Sequence, residues 1–284
     1  MERIRRSWRL VKASWAVLMA DKELLVFPFL SFLATVMVTV VMLFPAYALG
    51  FVNAPGSSEE GVGAFGYVVL FLYYVVLYSL MFFFNTALVG ATMIRLEGGD
   101  PKVSDGLDIA FKKMGAIMQY AVIAATVGMI LRAVEERAGF VGRLVIGLIG
   151  LSWTMATYLT VPVLVTKNVT AIDAVKESAD VFRRTWGEQM VANVGIGFAT
   201  FLIFLLMALV SIPLIILASN ISEVLLIPLV LSLLGGFFLL ALVSSALKGI
   251  YSAALYRYAT TGDAGEHFTN EMMDEAFRPR KKRW

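Results

Sequence analysis

The chain lacks cysteine entirely and carries a single histidine, His267, in a polar C-terminal stretch. Disulfides and thiolate chemistry are thereby excluded, the redox compartment is left unmarked, and neither a histidine triad nor a multi-histidine metal site can be built at membrane depth. No G-x-S-x-G elbow and no P-loop occurs. No two carboxylates share a membrane-depth position, which removes an intramembrane aspartyl protease and a carboxylate proton relay. These absences point to a protein with no catalytic residues, no cofactor and no bound metal. Charge is scarce as well: 16% of residues are charged against 59% hydrophobic, where soluble domains carry about 25% charged residues.

Where charge is missing altogether, long apolar runs remain. Uncharged stretches cover 24–58, 66–94, 114–131, 144–166, 189–222 and 224–247. A helix needs roughly 20 apolar residues to cross a hydrocarbon core about 30 Å thick. Lipid also forces each run to satisfy its backbone internally. The expected fold is therefore all-α, a polytopic bundle of six transmembrane helices with spans near 24–50, 66–94, 114–131, 144–166, 190–217 and 224–256. These form one transmembrane domain over 1–256, followed by a polar basic tail over 257–284.

Lysine and arginine set the expected orientation. Twenty of them fall in 1–23, 95–113, 167–188 and 257–284, and three (Arg132, Arg137, Arg143) fall in the alternate connectors. The positive-inside rule then places both termini in the cytoplasm of a multi-pass protein of the cell membrane. The net charge of +3 reflects this asymmetry and gives no reason to expect nucleic acid as a partner. Ala46-Tyr47-Ala48 resembles a signal-peptide cleavage site, but the apolar run before it exceeds the usual 7–15 residues, so it is read as a retained first span.

Three cytoplasmic segments share one spacing. Ile4, Trp8, Val11, Trp15 and Leu18 recur at steps of three and four, as do Val103, Leu107, Ala110, Met114 and Ile117, and then Ile172, Val175, Ala179, Phe182 and Trp186. That is the period of an amphipathic helix, expected over 3–18, 104–117 and 171–186. Ser104 is the expected N-cap of the second, and Thr170 with Asp173 the capping pair of the third. Each segment leads into two spans. The layout reads either as three direct repeats of interfacial helix plus transmembrane hairpin, or as a six-span chain whose connectors are amphipathic.

Polar groups at membrane depth are the candidate site. Asn85, Thr86, Gln119 and Thr157 serve either as interhelical hydrogen-bonding groups or as a polar track for a solute. Lys248, the one charge well inside a span, either snorkels to the headgroups or faces an anion. Pro28, Pro45, Pro162, Pro213 and Pro228 mark possible kinks. On the cytoplasmic side Trp8, Trp15, Arg183, Arg184, Trp186 and Glu188 are the candidate contacts. The tail closes on Arg280-Lys281-Lys282-Arg283-Trp284, suited to anionic headgroups. The expected partners are the bilayer, a protein partner or a second copy.

The blocks SWRLVKASWAVLMADKELLVFP (7–28), FFFNTALVGATMIRLEGGDPKVSDGL (82–107), AATVGMILRAVEER (124–137), TYLTVPVLV (157–165) and DAVKESADVFRRTWGE (173–188) resemble an uncharacterised family of prokaryotic six-span proteins, the domain of unknown function numbered 6159. The resemblance runs from about residue 4 to 197 and implies a prokaryotic membrane but no activity. More distantly, the triplicated layout is similar to membrane domains found beside glycerophosphodiester phosphodiesterases, which implies no activity without such a domain. Two functions follow as expectations: a non-enzymatic scaffold or membrane organiser acting through its cytoplasmic face, or a transporter or channel for a small or lipid-like solute.

Overall fold

The computed structural model describes residues 2–49, 64–186, 195–221 and 223–277, with side chains over 8–49, 65–183, 200–216 and 226–273. Among the described residues every regular element is helical: α1 Glu2–Ala20, a 3-10 turn Lys22–Leu25, α2 Val26–Ala48, α3 Ala64–Leu96, α4 Val103–Lys112, α5 Met114–Arg137, α6 Phe140–Ala156, α7 Thr160–Thr166, α8 Ala171–Trp186, α9 Gly195–Ile221, α10 Glu223–Thr261 and α11 Asn270–Phe277. Five stretches among the described residues are long and apolar enough to cross a membrane: Lys22–Ala48, Phe65–Leu96, Met114–Arg137, Phe140–Thr166 and Leu226–Thr261. Their large side chains are widely exposed, for example Val41 and Phe44 on α2 and Phe140 and Leu144 on α6. Lipid is the solvent that makes such surfaces stable. The protein is an all-α, multi-pass membrane helix bundle.

The chain forms two compact units. One comprises residues 26–91 and 101–185, with Phe27, Leu88, Ile117, Leu159 and Leu164 fully buried. In it the fourth expected span is not one helix. It divides into α6 and α7 at residues 157–159, directly ahead of Pro162. Proline lacks an N–H and its ring collides with the carbonyl four residues back, so helix continuity fails there. Pro28 is spared because it sits in the first turn of α2, and Pro45, Pro213 and Pro228 lie inside unbroken helices. The amide freed at Leu159 donates to Ser178 Oγ of α8 at 3.0 Å, in a buried setting. Ser178→Ala is expected to leave that N–H unsatisfied and lower stability by about 1–3 kcal/mol, read from thermal unfolding in detergent. A loss under 0.5 kcal/mol would mean that the amide finds another acceptor.

The second expected cytoplasmic helix is shorter than its spacing suggested, because α4 ends at Lys112 and α5 starts at Met114. Ser104 is not its N-cap. Lys102 holds that position after Pro101, and its backbone N–H donates to Asp105 Oδ2 at 2.9 Å. The third helix begins as expected, with the Asp173 amide donating to Thr170 Oγ1 at 3.3 Å.

The other unit comprises residues 1–25, 92–100 and 186–284, with Leu18, Leu24, Ile250, Leu255 and Met273 buried. Here α1 packs on α9 and α10. Asp21 and Arg95 clasp the end of α1 to the end of α3, with Nε–Oδ2 at 2.5 Å and Nη2 donating to Oδ1 at 3.1 Å. The Arg95 guanidinium also donates to the Gly99 carbonyl at 3.0 Å. Past α10, residues 262–268 fold back, so the first part of the expected polar tail is ordered, with Ala264 and Phe268 buried. Gly265 sits at φ +90, and a Cβ there would lie 2.8 Å from the Leu96 carbonyl oxygen, so only glycine fits. Arg257 joins this turn to α3 by pairing with Asp263 at 2.9 Å and Glu97 at 3.4 Å.

The hydrogen bond from Arg257, aided by the Gly265 amide, holds the Asp263 carboxyl below the usual carboxylate range. Because the folded state favours the ionised form, this contribution is present above the ordinary aspartate pKa and is lost as pH falls through the lowered value. Protection of the amides of 262–268 from hydrogen exchange, taken relative to the intrinsic rate at each pH, is therefore expected to fall only under strongly acidic conditions. Asp263→Asn should show low protection at every pH. An Asn variant as well protected as the wild type at neutral pH would remove the ion pair from the account.

Candidate functional site at the peripheral helices

On α4 and α8 the buried face is built of small residues, α1 buries two small residues beside Val17 and Leu18, and on all three helices some of the large apolar residues stay exposed. On α1 the buried residues are Ala13, Ser14, Val17 and Leu18, while Trp8 and Trp15 remain 48% and 44% exposed. On α4 they are Gly106 and Ala110, with Phe111 60% exposed. On α8 they are Ala171, Ala174 and Ser178, with Ile172 exposed. Small faces let helices approach closely inside a membrane protein. A Cβ on Gly106 would fall 2.6 Å from both the Ala87 carbonyl oxygen and Phe27 Cζ, which shows how tightly α4 is pressed down. Trp8 and Trp15 are thereby left largely exposed, while Phe111 also meets the Phe83 ring edge-on at 4.9 Å.

On the α1 side these exposed tryptophans border a groove of about 500 Å³. Trp8, Lys12 and Trp15 form one wall; Ile203 of α9 and Leu240 and Val243 of α10 form the rest. The polar atoms in the groove are largely consumed: Thr200 Oγ1 and Ser244 Oγ hydrogen-bond to each other at 3.1 Å. Lys12 makes no ion pair among the described residues. The arrangement is an apolar trough with one cation at its edge.

The polar residues at membrane depth have more local roles. Thr157 Oγ1 donates to the Trp153 carbonyl at 2.8 Å, on its own helix beside the break. Thr86 is fully buried, Asn85 half-buried and Gln119 exposed, and no hydrogen bond joins these four. Lys248 lies in the other unit with an exposed side chain on α10. Arg183 is exposed at the end of α8; the side chains of Arg184 and Trp186, together with Glu188 and the closing cluster 280–284, lie outside the described residues.

A feature that hydropathy does not register is a ladder of rings on α3. Tyr74, Tyr78 and Phe82 stack at spacings of four, with centroids 6.4 and 5.8 Å apart, and Phe82 stacks on Tyr120 of α5 at 4.3 Å. At its far end Arg132 donates to Tyr74 Oη at 3.0 Å and to Glu136 Oε1 at 3.1 Å. The adjoining hollow, lined by Tyr74, Tyr78, Gly128 and Arg132, is only about 140 Å³, below the roughly 300–1,000 Å³ of small-molecule sites. The repeat of tyrosine and phenylalanine every fourth residue was the signal for it. Among the described residues no group of acidic and histidine side chains is placed to hold a metal ion.

A sequence model of the family of unknown function DUF6159 matches residues 64–268. The chain belongs to that family. The DUF6159 match takes in α3 to α10 and the turn that follows, so it includes the C-terminal third, and it leaves out the first block, 7–28, on which the resemblance also rested. Both α4 and α8, with their small buried faces, lie within DUF6159, whereas α1 precedes it. No curated protein matches the chain, and no solved structure does.

Proposed function

We propose that this is a non-enzymatic integral membrane protein that organises its membrane, or recruits a partner, through its cytoplasmic face. The observation that carries this reading is the shared construction of α1, α4 and α8. Each buries one face against the bundle, with small residues on α4 and α8 and with Ala13, Ser14, Val17 and Leu18 on α1, and each leaves large apolar side chains available where a helix of this kind meets headgroups. The twenty-to-three distribution of basic residues supports a cytoplasmic position for these helices and both termini. The α9 helix, Gly195–Ile221, is long enough to add a sixth span. The order of one peripheral helix followed by two spans, met three times, supports descent from a repeated unit.

A transporter or channel is the alternative. It would need Asn85, Thr86, Gln119 and Thr157 to line one passage, and their buried, exposed and helix-bonded settings lend it less support. The test retains one tryptophan at a time at positions 8, 15 and 186 in the reconstituted chain. Quenching by shallow lipid-borne probes is expected at all three, weakened for the basic segments' binding at high salt. Quenching by aqueous iodide at all three, with none by lipid probes, would overturn the reading.

A further inference from the structure

We infer that the groove between α1, α9 and α10 is a binding site for one anionic glycerophospholipid, with an acyl chain in the trough and the headgroup phosphate at Lys12. This rests on the cytoplasmic-face reading only for the leaflet from which the lipid is drawn. Three observations single out this position from the ordinary lipid-bathed surface of the bundle.

The first is enclosure. Elsewhere α9 and α10 present open apolar surface, such as Phe201 and Leu231 at 57% and 63% exposure. Here a third helix closes a volume of about 500 Å³, within the usual range of small-molecule sites. The second is the lining. Ile203, Leu240 and Val243 are aliphatic, and the Thr200–Ser244 bond leaves little demand for a polar ligand atom. A hydrocarbon chain meets that requirement, since it fills the trough without asking for a hydrogen bond. A sugar or amino acid would forfeit its water hydrogen bonds in the same place.

The third is charge. Lys12 stands at the groove between Trp8 and Trp15, without an ion pair among the described residues. A lysine ammonium on a flexible stem is a point charge suited to a phosphate. Indole rings on either side favour the headgroup level, where one end of a side chain is apolar and the other wet. Chain and phosphate together define a diacyl anionic lipid; a free fatty acid or a neutral phospholipid would use only part of the site.

The test uses the full chain reconstituted in phosphatidylcholine bilayers, with a trace of phosphatidylglycerol or phosphatidylcholine carrying the same diazirine-labelled acyl chain. Crosslinks are mapped by peptide mass spectrometry. Labelling by the phosphatidylglycerol probe is expected to concentrate on Ile203, Leu240 and Val243 over Leu231. Val243→Trp, which fills the trough, should abolish labelling there and leave Leu231 unchanged. Lys12→Gln keeps the trough, so it should retain labelling but reduce the preference for phosphatidylglycerol over phosphatidylcholine roughly fivefold. Even labelling around α9 and α10, insensitive to Val243→Trp, would overturn the site. Labelling of the trough with equal preference for both probes in the wild type would overturn the anionic assignment. Tryptophan quenching by lipid alongside even labelling would sink this site alone and leave the cytoplasmic-face reading in place.

Discussion

Arg95→Leu is expected to cost about 3 kcal/mol, the largest loss of any single substitution considered for this protein. Removing one partner of a buried ion pair typically costs about 3–5 kcal/mol because the other charge is stranded. Arg95 retains 19% side-chain exposure and Asp21 8%, which places the effect at the lower end. The pH dependence separates this mechanism from lost packing. Burial pushes the Asp21 carboxyl up, and Arg95 is the main influence pulling it back. Without Arg95 the carboxyl rises further. A carboxyl raised in the folded state contributes stability below its unfolded pKa and loses it as pH rises through the folded value. The variant's deficit should therefore shrink on acidification and grow toward neutral pH, measured by thermal unfolding in detergent at several pH values. Asp21→Asn combined with Arg95→Leu should recover part of the loss, since no charge is then stranded. A deficit of the same size at every pH, unrelieved in the double variant, would refute the ion-pair account.

Gly106→Ala is expected to cost close to 3 kcal/mol, near the upper end of the usual overpacking range of about 1–3 kcal/mol. The added Cβ would meet the Ala87 carbonyl oxygen and the Phe27 ring at 2.6 Å. The backbone oxygen cannot swing aside as a flexible side chain could, so α4 would have to lift. Gly115→Ala is the matched comparison. It is also helical, and nothing lies within 4 Å of its added Cβ. That substitution should be neutral or stabilise by roughly 0.4–1 kcal/mol through the unfolded chain. Equal unfolding temperatures for the two variants would show that α4 does not bear on α3 as described.

The long helices were legible because the signal is coarse. Eighteen or more apolar residues without charge leave a chain little choice in lipid, and the family match agrees with that reading. The peripheral helices were legible in existence and period, but their inward face only in part. Spacing weighted by hydrophobicity finds Leu18, Ala110 and Ile117, which are buried, but also Trp8, Trp15 and Ile172, which are exposed, and it passes over the buried Ala13, Ala171, Ala174 and Ser178. Inside a membrane protein, apolar size is no guide to burial, because lipid accepts a large side chain as readily as a core does. Close approach rewards small ones. The Leu159–Ser178 bond was hidden for another reason: Pro162 announces a freed backbone, but which distant hydroxyl answers it depends on tertiary packing. The groove at Lys12 was also hidden, since Lys12 reads in sequence as one more basic residue of a topological cluster.

The clasp between Asp21 and Arg95 has a bearing on how the protein is made. The two residues are separated by 74 positions, and the helices on which α1 packs, α9 and α10, come later still. A ribosome delivers the chain from its N-terminus, and domains generally fold as they emerge. When α1 leaves the ribosome, none of its final neighbours beyond its own following turn has been synthesised. The unit of residues 26–91 and 101–185 can be complete before α9 exists, whereas the unit containing α1 closes only once α9 and α10 have been made. On the proposed cytoplasmic-face reading, α1 is expected to wait during that interval at the membrane surface, which suits its tryptophans and basic side chains. The exposed stripe of α1 would then be a berth during synthesis before it becomes the wall of the finished groove.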